Sequence, residues 1–178
     1  VTDLPSVTQV LQPWVDLSMV PADVLEFAKV RGNDFHSLAA RYALGLWIDE
    51  VPESCVGRYA SFKKWFDATV VDVVLVEKRL IHRKLHYTGE PDIIARLRGD
   101  TGLCLLDYKT PQAFSKTWCA QIAGYKELAE HNDYPIQRAA TLQPHPEGKR
   151  AKFRDYMTHR EDLAAFLSAL NCWRYFHG

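Results

Sequence analysis

Residues 69–110 break the helical texture on either side of them, and that break constrains the fold more than any other feature. "TVVDVVLVEKRLI", "HYTGEPDIIARL" and "GLCLLDYKT" follow one another as β-branched and leucine-rich runs, the last two joined by "GDTG". Such runs predict strands with a turn at the Gly/Asp cluster, and so a three-strand meander. Ahead of them, Val24, Phe27, Ala28, Phe35, Leu38, Ala39, Tyr42 and Leu46 recur at helical spacing from about Ala22 to Leu46, with Gly32 as an interruption. A second helix is predicted over roughly Ser54 to Ala68, and "LPSVTQVLQP" reads as a short opening segment ended by Pro13. Helical spacing returns over Ser115 to Glu130, and "PIQRAATLQPH" and "AKFRDYMT" predict another hairpin around "PEGK". The chain closes on an amphipathic helix from His159 to about Tyr175, with Thr158 and Glu161 at capping-box spacing. This order predicts an α/β (α+β) fold with a mixed central β-sheet flanked by helices. A length of 178 residues suits one domain over 1–178.

The second and third strands carry residues that a hydrophobic core would exclude. With the turn at Gly99–Gly102, Asp92 is expected opposite Lys109, and Asp107 opposite Ile94. Side chains alternate along a strand, so Asp107 and Lys109 share a face, and Asp92 joins them as a diagonal neighbour. A one-residue slip would move Asp92 to the other face, so the convergence requires an even turn. Two close carboxylates repel one another unless a cation neutralises them. Oxygen ligands at this spacing suit Mg²⁺ or Mn²⁺, and an adjacent lysine can orient or deprotonate a water. The alternative is a cross-strand Asp–Lys ion pair at a sheet edge, which contributes little.

Lysine plus arginine and aspartate plus glutamate both number 22, so net charge does not point to nucleic acid. The distribution is uneven: Lys78 to Arg98 holds six bases against two acids, and Lys149 to Arg160 five against one. Local asymmetry of this kind suits a polyanion-binding face, or a solvated surface. The four cysteines are scattered without a CxxC pair, which points to a reducing compartment and away from zinc or a disulfide framework. No apolar run has membrane-spanning length, so no membrane partner is expected.

Pro91-Asp92, a gap of fourteen residues, then Asp107-Tyr108-Lys109 resembles the signature of the PD-(D/E)xK nuclease superfamily. "RGNDFHSLAARY" is similar to the G-x-x-x-H element of its RecB-like exonuclease branch, "GEPDII" to the second motif, and "WCAQIAGYKEL" to the Q-x-x-x-Y motif. "PSVTQVL" is similar to the start of the mitochondrial genome-maintenance and phage exonucleases. The motifs span about 32–128 and imply a restriction-endonuclease-like core. The resemblance implies Mg²⁺ or Mn²⁺ held by Asp92 and Asp107, with the Tyr108 carbonyl and His36. Lys109 would position the attacking water, and Gln121 and Tyr125 would brace the site. Glu77 offers an extra carboxylate, or is a surface acid. Cys172 alone lies beyond the helix carrying Gln121, so no iron–sulfur cluster is expected.

The activity implied is metal-dependent hydrolysis of DNA at single- or double-stranded ends, in repair, recombination or phage replication. The implied setting is the cytoplasm of a bacterial or phage-infected cell, and any helicase or recombination partner would be a separate chain. Arg79, Arg83, Lys84, Arg96 and Arg98 around the meander, and Lys149, Arg150, Lys152 and Arg154 on the later hairpin, are candidates for phosphate contacts. Trp118, Tyr87 and Trp65 are candidates for base stacking. The alternatives are a structure-dependent or restriction-type endonuclease and a non-catalytic nucleic-acid-binding module.

Overall fold

The first β-branched run forms β1, Val70–Val76, the outer strand of a five-stranded sheet in a computed structural model that describes residues 4–177. The meander is more broken than expected. Glu77 takes a left-handed backbone at φ 41°, and Pro91 interrupts the next run. Between these breaks β2, Leu80–His82, and β3, Tyr87–Gly89, form a separate two-stranded sheet, with Thr88 also bridging to Ser6. The chain then rejoins the main sheet as β4, Ile93–Leu97, and β5, Leu103–Tyr108. With β6, Ile136–Gln143, and β7, Lys152–Asp155, the order is β1-β4-β5-β6-β7. Only β5 and β6 run parallel, so a crossover must join them. That crossover is the helix α4, numbered in chain order and spanning Thr117–His131.

Helices cover both sheet faces, as the sequence predicts. On one face lie α1, Val7–Leu11, then α4, and α5, His159–His177. They pack on Leu75, Ile94, Leu103, Leu105 and Ala139. On the other face, α2, Ala22–Ala43, and α3, Val56–Thr69, bring Phe35, Leu38 and Phe62 against Ile93, Ala95, Cys104, Leu106 and Leu142. The central strand β5 is buried at every position, whereas the outer β1 is half exposed. Among the described residues, no helix is long and apolar enough to cross a membrane.

Three local expectations are corrected. Gly32 does not interrupt α2, which runs unbroken through it, because one helical glycine costs only about 1 kcal/mol. The helix ends at Ala43 rather than Leu46. Gly45 turns left-handed there, and the Gly45 and Leu46 amides bond the Tyr42 and Arg41 carbonyls, a Schellman stop. Thr158 donates its hydroxyl to the Asp162 carboxylate at 2.8 Å, while a complete capping box occurs instead at Ser6 and Gln9 of α1.

Gly57 in the first turn of α3 is an obligatory close contact. A Cβ there would sit 1.7 Å from the Pro146 carbonyl oxygen. Gly57→Ala should therefore lower the urea midpoint, because overpacking of about 1–3 kcal/mol outweighs the helix-propensity gain of about 1 kcal/mol. A raised midpoint would show that the 145–148 turn yields freely.

Candidate active site

The acids gather where β4 begins and β5 ends. The β4–β5 register pairs Ile93 with Leu106 and Ile94 with Leu105. Continued one step, it sets Asp92 directly opposite Asp107, not opposite Lys109. The expected register is thus off by two residues, because the chain reverses one position earlier, around Gly99 at φ 87°. A shift of two preserves the face, so the convergence survives. Asp107 and Lys109 lie on the Leu105 side of the sheet, facing α4.

Asp92 is 7% exposed and Asp107 3%. The Asp92 carboxylate accepts from the Tyr108 amide at 2.5 Å and lies 3.0 Å from His36 Nδ1. Lys109 Nζ stands 2.6 Å from Asp107 Oδ2 and donates to Gln121 Oε1, also at 2.6 Å. Gln121 in turn donates through Nε2 to Asp107 Oδ1 at 3.2 Å, and that nitrogen lies 3.5 Å from the Tyr125 hydroxyl. Gln121 and Tyr125 are one helical turn apart on α4, which gives them the same face. β3 comes close enough to brace that face: a Cβ on Gly89 would meet the Tyr125 ring at 2.7 Å.

The field in the cleft is negative. Burial pushes the Asp107 carboxyl above its usual value; Lys109 opposes the shift and Asp92 reinforces it. Burial pulls the His36 imidazole down, but the Asp92 and Asp107 carboxylates outweigh it and hold the ring at about 9. Burial and Asp92 also raise Glu77, and burial carries the Tyr125 phenol well above the usual tyrosine range. His36, Glu77 and Asp92 present donor atoms within 4.8 Å of one another, although Glu77 is exposed to solvent.

This donor set fits a hard divalent cation. Oxygen donors dominate, with one imidazole. Asp107 Oδ2 is buried and lacks a donor in hydrogen-bonding geometry, even with the Lys109 ammonium beside it. The Lys109 ammonium is its counter-charge, and an ion seated among His36, Glu77 and Asp92 would share the Asp107 carboxylate with it.

The cleft measures about 850 Å³, and His36, Glu77, Asp92, Asp107, Tyr108, Lys109, Trp118, Gln121 and Tyr125 all line it. Trp118 is 8% exposed, with its ring 5.5 Å from Lys109 Nζ. The Tyr108 ring points through the sheet into the other core, against Phe35 and Phe62. The basic candidates lie outside the cleft lining. Arg79 bonds Thr88 beside α1, and Arg83 and Lys84 form the β2–β3 turn. The Arg83 amide donates to His131, so this turn sits near the end of α4, about 15 Å along the helix from Gln121. Lys149 and Arg150 lie on the β6–β7 turn, beside α3. Tyr87 is wholly buried and bonds the Gly124 carbonyl, which removes it from stacking.

Sequence reading overlooks Asn33, Ser37 and Arg41, which also line the cleft. Their signal is present, since they stand three, one and five positions from His36 on a face of α2 turned to the site. Glu90, two residues before Asp92, lines it too. Thr8 arrives from α1 by tertiary packing, and no local pattern marks it.

No family model and no curated protein matches this chain. Among solved structures, the chain is similar to LHK-Exo, an alkaline exonuclease from Laribacter hongkongensis, at 11% identity and a TM-score of 0.44. The match covers 97% of this chain and 90% of LHK-Exo in its complex with dAMP, and 96% and 89% in a second structure of that enzyme.

Proposed function

We propose that this chain is a metal-dependent DNA nuclease of the PD-(D/E)xK type, and within it an exonuclease of the RecB-like branch. One observation carries the reading. Two buried carboxylates face each other across β4 and β5, and a lysine locked by Gln121 stands 2.6 Å from one of them. A hydrophobic core gains nothing from this arrangement, whereas metal-assisted phosphodiester hydrolysis can use it.

Asp92 and Asp107, with His36 and Glu77 at the rim and the Tyr108 carbonyl beside them, would hold Mg²⁺ or Mn²⁺. When bound, the ion supplies Lewis acidity and a water of lowered pKa. Lys109 holds its ammonium where it can orient that water and offset charge on the phosphate. Gln121 fixes Lys109 by accepting a hydrogen bond from its ammonium while donating one to Asp107. Tyr125 closes the back of the site, and Trp118 forms a wall that excludes water and offers an apolar face to a base.

The test uses end-labelled single- and double-stranded DNA with Mg²⁺, Mn²⁺ or EDTA, beside covalently closed circles. Release of short products from linear DNA, dependent on metal and absent with circles, is the expected result. Cleavage of closed circles would instead mark an endonuclease, and no cleavage with either metal would remove the catalytic reading.

A further inference from the structure

A second surface connects to this cleft. Between α3 and the β6–β7 hairpin lies a groove of about 780 Å³. Lys64, Lys149, Arg150 and Lys152 line it, and no acid does. Trp65 and Phe153 stack at its floor, 5.8 Å apart and 20° from parallel. The groove is built rather than incidental. The 145–148 turn is pinned to α3 by Gly57, by Ser61 accepting from the His145 amide at 2.9 Å, and by Lys64 donating to the Gly148 carbonyl at 3.2 Å.

A chain of ring and cation contacts leads from the cleft towards the groove. From Lys109 it passes to Trp118 at 5.5 Å, and from Trp118 to Phe114 at 5.6 Å. The Arg154 guanidinium lies 4.3 Å from the Phe114 ring. Arg154 and Lys152 sit two apart on β7, so they share its face, and Lys152 opens the groove. Phe114 is 44% exposed, so its ring is open to a ligand beside Arg154. The nearby acids are occupied: Asp155 forks onto Arg138, and Glu147 pairs with Lys149. β7 is a sheet edge, so from Phe114 to Arg154 and Lys152 the line runs over open surface.

We propose that this line is a track for single-stranded nucleic acid, leading from the cleft across β7 into the α3 groove. The exposed cations Arg154, Lys152, Lys149 and Lys64, with the exposed Phe114 ring and the half-buried Trp65, match the phosphates and bases of an unpaired strand, and a duplex would hide the bases from the rings. The inference rests on the nuclease reading for its direction, and its test does not depend on cleavage.

Binding of fluorescein-labelled DNA is measured in EDTA by anisotropy, with a 20-mer and a 4-mer single strand and a 20-base-pair duplex. K152A/R154A should weaken the single-stranded 20-mer roughly tenfold. It should also flatten the dependence of log K on log salt by about 1.4, the value for a single strand with two fewer phosphates neutralised. F114A should weaken it roughly tenfold through lost stacking, and W65A likewise, with F114A as the control for any instability from the Trp65–Phe153 stack. The 4-mer is too short to span the cleft, β7 and the groove together, so the wild type should bind it far more weakly than the 20-mer. Unchanged single-strand affinity and salt slope in K152A/R154A overturns the track, as does a greater loss for duplex than for single strand. If the wild type cleaves nothing yet the variants lose strand binding, the nuclease reading falls and the track stands. If the wild type cleaves and the variants bind normally, the reverse holds.

Discussion

Asp107→Ala and Lys109→Ala each lower metal-dependent cleavage by about 10³-fold or more, with far-UV circular dichroism unchanged. The two residues fail for different reasons. Asp107→Ala removes a buried carboxylate that would hold the ion. Lys109→Ala removes the ammonium that Gln121 and Asp107 keep in the cleft. Lys109→Arg should not restore activity, because a planar guanidinium cannot occupy a pocket shaped for a point charge between two close acceptors. Gln121→Ala acts through Lys109 and should cost less, about 10–100-fold. Kinetics on a 5′- and a 3′-labelled strand would measure all four. Robust cleavage by both purified alanine variants of Asp107 and Lys109 would sink the nuclease reading.

Mn²⁺ should stabilise the wild-type fold. A ligand at a hundredfold excess over its Kd adds about 2.7 kcal/mol to a protein that binds it only when folded. For a chain of this size that corresponds to a Tm increase of roughly 5–10 °C. Asp92→Ala and Asp107→Ala should abolish the increase, and Lys109→Ala should retain it, since the lysine is not a ligand. Scanning calorimetry with Mn²⁺ or EDTA separates the cases. An equal shift in the two aspartate variants would place the ion elsewhere, away from β4 and β5.

The acid–lysine pair was legible in the sequence because strand alternation is local. Asp107, Lys109 and Leu105 share a face whatever the rest of the chain does, and the β4–β5 reversal at Gly99–Gly102 brings Asp92 to it. The exact register was not legible. Several Gly- and Asp-rich turns fit "RGDTG", and only the packing of Ala95 and Leu97 against Cys104 and the α3 side of the core selects one. The break of the meander at Glu77 was hidden for a related reason. Glutamate rarely takes a left-handed backbone, so nothing in "LVEKR" announces it. The β2–β3 hairpin follows from that break and from Pro91, which releases the chain from the ladder just ahead of Asp92. The G-x-x-x-H spacing singles out His36, but its hydrogen bond to Asp92 requires α2 to lie across the sheet, a tertiary fact.

The contacts within the site differ sharply in reach along the chain. Asp92 to Tyr108, Lys109 to Gln121 and Gln121 to Asp107 span 16, 12 and 14 residues, whereas His36 to Asp92 spans 56. Short loops close at little entropic cost, so the β4–β5–α4 unit can assemble its acids and lysine as soon as that segment collapses. The docking of α2 is the long closure, and it alone delivers the imidazole. A folding intermediate lacking only α2 would therefore already carry a crowded pair of acids with Lys109 as sole counter-charge, which makes α2 the element whose arrival completes the site.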